Sequence, residues 1–320
     1  MATAARDRAS PVAPARPPPR RRRRRWRSRG VVLLFMSPWI VGFFAFTLYP
    51  TIASLYYSFT HYSLTDQPTW VGLDNYRFML SDPNFWLSLR NTVWIVIFGT
   101  ATSVAFAIGC AMVLTRVRGG AGFYRTVFFL PTMVPAVAAT LGFVFILNPG
   151  GPINRVLKFL HIPEPLWFLD PRWSKPALLM LGLWGVGNTM IIFLASLLDV
   201  PRELYEAADI EGAGAWQRFR HITLPMISPV IFFSVVIGVI YGFQYFTEGY
   251  VASGGDLNSL GDPQGSLLFY GIWLYQQGFQ YFHLGYAAAM AWVLFVIIMA
   301  CTLVLIRSSN RWVFYQGGFR

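Results

Sequence analysis

Four carboxylates, Glu203, Glu206, Asp209 and Glu211, fall within one polar stretch, "ELYEAADIEGAGAWQRFRHITLP", and His221 follows in the same stretch. Carboxylates beside an imidazole can hold a metal ion or share acid–base work. Here they are strung along a single helical segment with one imidazole, so the spacing supplies no convergent ligand set. A second group combines hydrogen-bonding and aromatic side chains: Tyr241, Gln244 and Glu248 in "YGFQYFTEGY", with Tyr245 adjacent, and Asn188 and Thr189 in "LWGVGNTMII", with Trp184 one turn earlier. On a continuous helix Tyr241, Gln244 and Glu248 share one face. Polar and aromatic groups inside apolar segments can line a path for a polar ligand; Asn188 can equally bond a neighbouring helix, and the tyrosines can anchor at a lipid interface. The two cysteines, Cys110 and Cys301, each sit in an apolar run and read as small core residues. The two lysines, Lys158 and Lys175, do not follow glycine, so the chain has no Gly-Lys-Ser/Thr phosphate loop. No catalytic residue, metal site or cofactor is expected.

The elements that position these residues are written for lipid. Of 320 residues, 55% are hydrophobic, 17% aromatic and 12% charged, about half the ~25% charge of a soluble domain. The fold class is therefore all-α integral membrane. Six apolar runs approach the ~20 residues needed to cross hydrocarbon: Val31–Phe59, Thr92–Leu114, Val127–Leu147, Pro176–Leu198, Pro229–Val251 and Leu284–Ile306. The net charge of +12 is concentrated in residues 1–30, which hold eleven arginines and one aspartate. That Arg/Pro-rich stretch is expected to be a disordered tail that anchors topology on anionic lipid, in preference to a nucleic-acid arm. The run Val31–Phe59 is too long for the core of a cleaved signal peptide and is expected to remain. Twenty of the 26 basic residues lie on the side of the N-terminus and six on the other, which puts both termini in the cytoplasm.

Three outer segments follow from this arrangement. The first has turn signals at Val71-Gly72 and Asp82-Pro83; the second, "NPGGPINRVLKFL", turns before a short interfacial helix; the third is the loop "SGGDLNSLGDPQGS". The small residues Gly285 to Met290 are expected to pack against a neighbouring helix or a partner subunit. The acidic stretch, about 199–229, reads as a cytoplasmic helical hairpin. Asp199 is placed to cap a first helix opening near Pro201 and running to about Glu211, Gly212–Gly214 to break it, and a second helix to span about Ala215–His221. One face of the first helix carries Leu204, Ala207, Ala208 and Glu211, small enough for another surface to approach, although alanine is also simply the best helix former. A hairpin in solvent, expected to be packed in no core, has reason to persist if it docks in a groove.

"EAADIEGAGAWQRFRHITLPMISP" resembles the EAA loop of the permease subunits of ABC importers. The pattern falls on Glu206, Ala207, Ala208, Gly212, Ile222, Leu224 and Pro225, with Glu211 where the family often has Asp. "YPTIASLYYSF", "WVGLDNYRFML", "FFLPTMVPAVAA" and "YFHLGYAAAMAWVLFVII" are similar to sugar permeases of the maltose-transporter type. The resemblance implies a type I importer fold of six spans over residues 31–320, forming half of a heterodimeric pore with a second permease subunit. It further implies two ABC ATPase subunits that receive the hairpin, and an extracellular solute-binding protein that delivers a carbohydrate. In that setting Asn188, Tyr241, Gln244, Tyr245 and Glu248 are candidates for a sugar path. Alternatives are the same machine with glycerol phosphate or a polyamine as cargo, an integral-membrane enzyme such as a lipid-linked glycosyltransferase, or a channel or sensor to which the hairpin is dispensable.

Overall fold

The computed structural model describes the backbone of residues 24–117, 119–255 and 259–314, with side chains from residue 31 onward. The tail up to residue 23 lies outside the described residues, as do Arg118, Arg320 and residues 256–258 of the third outer loop. The backbone of residues 24–30 opens α1 (Arg24–Phe43). The chain divides into two units, Met1–Ala53 and Ser54–Arg320.

The first unit is apolar helix. A π turn over Phe44–Leu48 follows α1, and α2 (Tyr49–Tyr57) continues past the unit boundary. Pro38, inside α1, cannot bond the carbonyl of Leu34; the Ser37 hydroxyl donates to that oxygen instead, at 2.7 Å. The 27 residues Val31–Tyr57 are long and apolar enough to cross a membrane. Phe35 and Phe46 are 82% and 84% exposed, a surface for lipid or another chain.

In the second unit a two-residue hairpin, β1 (Thr60–His61) with β2 (Thr69–Trp70), precedes α3 (Asp74–Ser81) and α4 (Pro83–Arg116). The sequence reading places a turn at Asp82-Pro83 and opens the second span at Thr92. Instead Asp82 caps α4 through the Asn84 amide at 2.9 Å, and Pro83 takes the first turn, where its missing N–H costs nothing. The resulting 34-residue helix starts nine positions early and is the spine on which the unit is built.

The third apolar run is also corrected. It forms α5 (Ala121–Phe129), a 3-10 turn and α6 (Ala136–Leu147), interrupted at Val134 and Pro135, and the stretch there that is long and apolar enough to cross a membrane is Ala136–Phe159. The short α7 (Pro152–Phe159) follows the turn at Asn148 to Gly151. The fourth apolar run forms two helices, α8 (Pro171–Trp184) and α9 (Gly187–Leu198), bent by 52°. Glycine is required where α9 begins: a Cβ on Gly187 would lie 2.3 Å from the carbonyl oxygen of Phe128. After the hairpin helices α10 (Arg202–Ile210), α11 (Ala215–Arg218) and α12 (Leu224–Met226), the chain bends by 66° into α13 (Ser228–Phe243). The last elements are α14 (Thr247–Ala252), α15 (Tyr270–Tyr275) and α16 (Leu284–Ser309). Among the described residues four helices are long and apolar enough to span a membrane, and up to six if each bent pair counts as one.

Two apolar cores lie toward opposite ends of α4. One gathers Phe85 and Ile95 with Tyr270, Ile272 and Met290; the other gathers Ala107, Ala111 and Leu114 with Met190, Phe193 and Ile227. Gly285 packs directly on β1, where a Cβ would lie 2.1 Å from the Thr60 carbonyl oxygen. The small residues at the start of α16 therefore serve contact within this chain.

Candidate functional site

The hairpin is closed largely by its own backbone. Gly212 sits at φ +74°, the Gly212 N–H bonds the Asp209 carbonyl at 3.1 Å, and the Ala213 N–H bonds the Ala208 carbonyl at 2.9 Å. These are the paired bonds of a Schellman helix end, which fixes glycine four residues after Ala208. The returning arm is tied by the Tyr205 and Thr223 hydroxyls, 2.9 Å apart, by an ion pair between Asp209 and Arg218, and by the Gln217 amide oxygen on the Gly214 N–H at 2.8 Å. A π turn, Phe219–Thr223, precedes Pro225; the Leu224 N–H reaches back to the Phe219 carbonyl, and the widened turn accommodates a proline without an N–H to offer.

Three details differ from expectation. Asp199 ends α9 and does not cap α10, whose capping position is Pro201 with no side-chain bond. The second arm continues to Met226, five residues beyond His221. Finally, the hairpin is seated on a core: Tyr205, Phe219 and Ile222 pack against the cluster around Phe193 and Ile227, and Ala208 is buried. The outer surface is another matter. Glu206, Ala207 and Gly212 are exposed, Leu224 is 37% exposed, Pro225 is half-buried, and Ile210 and Trp216 stand 90% and 68% exposed beside them.

Behind this layer, Ser228 joins three elements at the 66° bend. Its hydroxyl donates to the Pro225 carbonyl at 2.6 Å and accepts the Phe314 N–H at 2.8 Å, while Trp312 packs edge-on against Phe232. The segment after α16 thus braces the root of the hairpin.

A cavity of about 490 Å³ opens where the helix interruptions meet. Pro131 and Thr132 reach it from the break before α6, Trp184 and Thr189 from the break between α8 and α9, and Thr100 and Ser103 from α4. Tyr241, Tyr245 and Glu248 also line it. Gln244 and Asn188 do not: both are exposed, and Gln244 donates to the Ile240 carbonyl at 2.9 Å. The single helical face expected for Tyr241, Gln244 and Glu248 does not exist, because α13 ends at Phe243. Gln244 and Tyr245 close onto carbonyls three residues back, and the Gln244 side chain satisfies an orphan carbonyl of the last turn. Among the described lining residues Glu248 is the one carboxylate, with no Lys, Arg or His.

The sequence reading missed Thr100, Ser103 and Gly238. A Cβ on Gly238 would lie 2.7 Å from Thr100 Cγ2, so α13 lies directly on α4 at the cavity wall. Ser234, Gly238 and Gly242 repeat every four residues, the small-residue spacing of close helix contacts, and that pattern could have marked the face.

At the other end of α4 the connections are polar and buried. Asp82 accepts from Trp273 Nε1 and from the Tyr286 hydroxyl, each at 2.8 Å. Asn91 donates to the carbonyls of Gly265 and Leu268 at 2.7 and 2.9 Å and accepts from Lys175 Nζ at 2.7 Å, so the loop after residue 259 is pinned to α4 and α8.

Comparison with known proteins agrees with this architecture. Residues 103–315 match the family described as "Binding-protein-dependent transport system inner membrane component". The chain is 40% identical over 286 residues to the "Probable ABC transporter permease protein YesP" of Bacillus subtilis, covering 88% of this chain and 91% of that one. It is 33% identical to the "Arabinooligosaccharides transport system permease protein AraP" of the same organism, over 87% and 88% of the two chains. It is 31% identical to the "Lactose transport system permease protein LacF" of Rhizobium radiobacter, over 83% and 89%. In fold it matches a chain of a bacterial alginate ABC transporter, solved in complex with an alginate pentasaccharide-bound periplasmic protein, with a TM-score of 0.78 at 22% identity over 91% of this chain and 98% of that one.

A bundle of apolar helices, broken around a central cavity and carrying a packed hairpin at one end, is thus the membrane-embedded permease subunit of an ABC importer and not an enzyme. The chain belongs to the family of binding-protein-dependent transport system inner membrane components, multi-pass proteins of the inner membrane.

Proposed function

We propose that this permease imports a carbohydrate, as one half of a heterodimeric pore served by a second permease subunit, two ABC ATPases and an extracellular solute-binding protein. In this reading the chain crosses the membrane six times, each bent helix pair counting as one span, with both termini and the hairpin in the cytoplasm. The distribution of basic residues supports that orientation. The hairpin is the coupling element: Glu206, Ala207 and Gly212 present a low surface flanked by exposed Ile210 and Trp216, while Ala208, Ile222, Leu224 and Pro225 join it to the spans.

The observation that carries the cargo assignment is the central cavity, whose aromatic and hydroxyl groups, Trp184, Tyr241, Thr100 and Ser103, suit the apolar faces and hydroxyls of a sugar. Relatives named for arabinooligosaccharide and lactose transport support the same class. The absence of a cation among the described lining residues argues against glycerol phosphate. Tyr241, Tyr245 and Glu248 are the residues assigned to the path within this chain; Asn188 and Gln244, exposed outside that cavity, are left for the surface shared with the second permease, where either could still meet the sugar.

The test is reconstitution of the complete importer in proteoliposomes. Sugar uptake and sugar-stimulated ATP hydrolysis are expected together. Gly212→Pro or Glu206→Arg should leave insertion intact and uncouple the two. Full transport by both variants, or vectorial uptake by this chain without an ATPase, overturns the assignment.

A further inference from the structure

We propose a second carbohydrate site on this chain, a neutral-sugar subsite between the β1–β2 turn, α3 and the connection from α15 to α16. It rests on the carbohydrate reading above and adds a place where a sugar unit is held apart from the central cavity. The space measures about 640 Å³, within the range of small-molecule sites.

Its walls combine ring faces with fixed polar atoms. Phe78, Tyr281 and Phe282 line it and are 57%, 51% and 44% exposed, a cluster of aromatic surface that nothing among the described residues covers. Phe78 is held in place by Tyr286, ring centres 5.1 Å apart, and Tyr286 is itself held by Asp82. Phe282 adopts φ +55°, a left-handed backbone that a bulky side chain takes only under constraint. The constraint is visible on either side: the Tyr281 N–H bonds the Gln276 carbonyl at 2.9 Å, and the His283 N–H bonds the Gln277 carbonyl at 2.8 Å.

The polar partners are oriented as well. His283 Nδ1 is engaged by Gln277 Oε1 at 2.9 Å, which leaves its other ring nitrogen for a ligand. The Asn75 amide nitrogen is used by the carbonyls of Ser58 and Thr60, both at 2.9 Å, which leaves its oxygen to accept. His61 and Ser63 also line the rim, the Ser63 hydroxyl already donating to Asp66 at 2.9 Å. No Lys, Arg, Asp or Glu is among the described lining residues. An anionic ligand would lose hydration there with no cation to replace it, whereas a neutral sugar stacks its C–H face on the rings and gives its hydroxyls to imidazole and amide.

The experiment uses the purified importer complex in detergent without its binding protein. Saturation-transfer NMR is recorded with neutral trisaccharides (maltotriose, cellotriose, arabinotriose) and with trigalacturonic acid. Binding-protein-stimulated ATP hydrolysis and sugar uptake by the same variants in proteoliposomes are measured alongside. Transfer to at least one neutral trisaccharide is expected in a complex whose central cavity carries Tyr241→Ala, falling at least fivefold when Tyr281→Leu or His283→Gln is added, with none to the acidic probe; in the parent background the same two substitutions leave stimulated hydrolysis unchanged. Should stimulated hydrolysis collapse in these variants while sugar transfer persists, the surface docks the binding protein and the proposal is wrong. Sugar uptake with transfer indifferent to both substitutions removes the second site alone; an importer that carries no sugar removes the carbohydrate reading and this site with it.

Discussion

Asp82 is the residue whose loss should be felt most strongly, because one carboxylate serves three elements. It is 7% exposed, caps α4 through the Asn84 amide and accepts from Trp273 and Tyr286. Asp82→Ala removes the cap, worth about 1 kcal/mol, and leaves two buried donors unpaired at about 1–3 kcal/mol each. Partial relaxation brings the sum to roughly 3–5 kcal/mol, a large fraction of the stability of an ordinary domain. Asp82→Asn retains an oxygen for the cap but turns an NH2 toward the two donors, and should fall between. The assay is thermal unfolding of the purified complex followed with a thiol-reactive fluorogenic dye, since Cys110 and Cys301 are free and half-buried. Asp82→Ala is expected to lower the midpoint by roughly 10 °C. The double variant Asp82→Ala/Tyr286→Phe should be less destabilised than the sum of its parts, because one orphaned donor is gone. A midpoint within ~2 °C of the parent, or strict additivity in the double variant, would refute the reasoning.

The hairpin surface should separate binding from folding: Ile210→Asp, at a side chain 90% exposed, is expected to leave the melting midpoint unchanged and to lose the ATPase on co-purification. At the cavity wall, Gly238→Ala drives a methyl to 2.7 Å from Thr100 Cγ2 and should cost about 1–3 kcal/mol; adding Thr100→Ala should restore most of it, read as recovery of the melting midpoint. Ser228→Ala removes both bonds at the bend, so uptake per ATP hydrolysed should fall while hydrolysis itself continues; an unchanged ratio would mean that the terminal segment does not brace the hairpin.

The hairpin was legible because its signals are local. Gly212 and Pro225 each constrain the backbone within one turn, and the spacing Ala208 to Gly212 is the spacing of a Schellman end. Apolar runs likewise marked the helices, since hydrocarbon imposes length and polarity on any span. Where those helices break was less visible: Pro135 announces itself, but α13 ends without proline or glycine at Gln244, and the polarity that nominated Gln244 and Asn188 says nothing about which way they point. The wall that does face the cavity is made partly of small residues on α4 and α13, whose signal is a spacing of four and not a polar side chain. The Asp82 and Asn91 connections reach 191 and 174 residues along the chain, and no local pattern encodes a bond of that span.

The way the hairpin is closed has a corollary. Its shape depends on amide groups and on a few inward side chains, while Glu206, Ile210 and Trp216 bear on neither the Schellman bonds nor the tie between Tyr205 and Thr223. Geometry and outward chemistry are therefore separable: Ile210 and Trp216 can be exchanged without redrawing the scaffold that presents them.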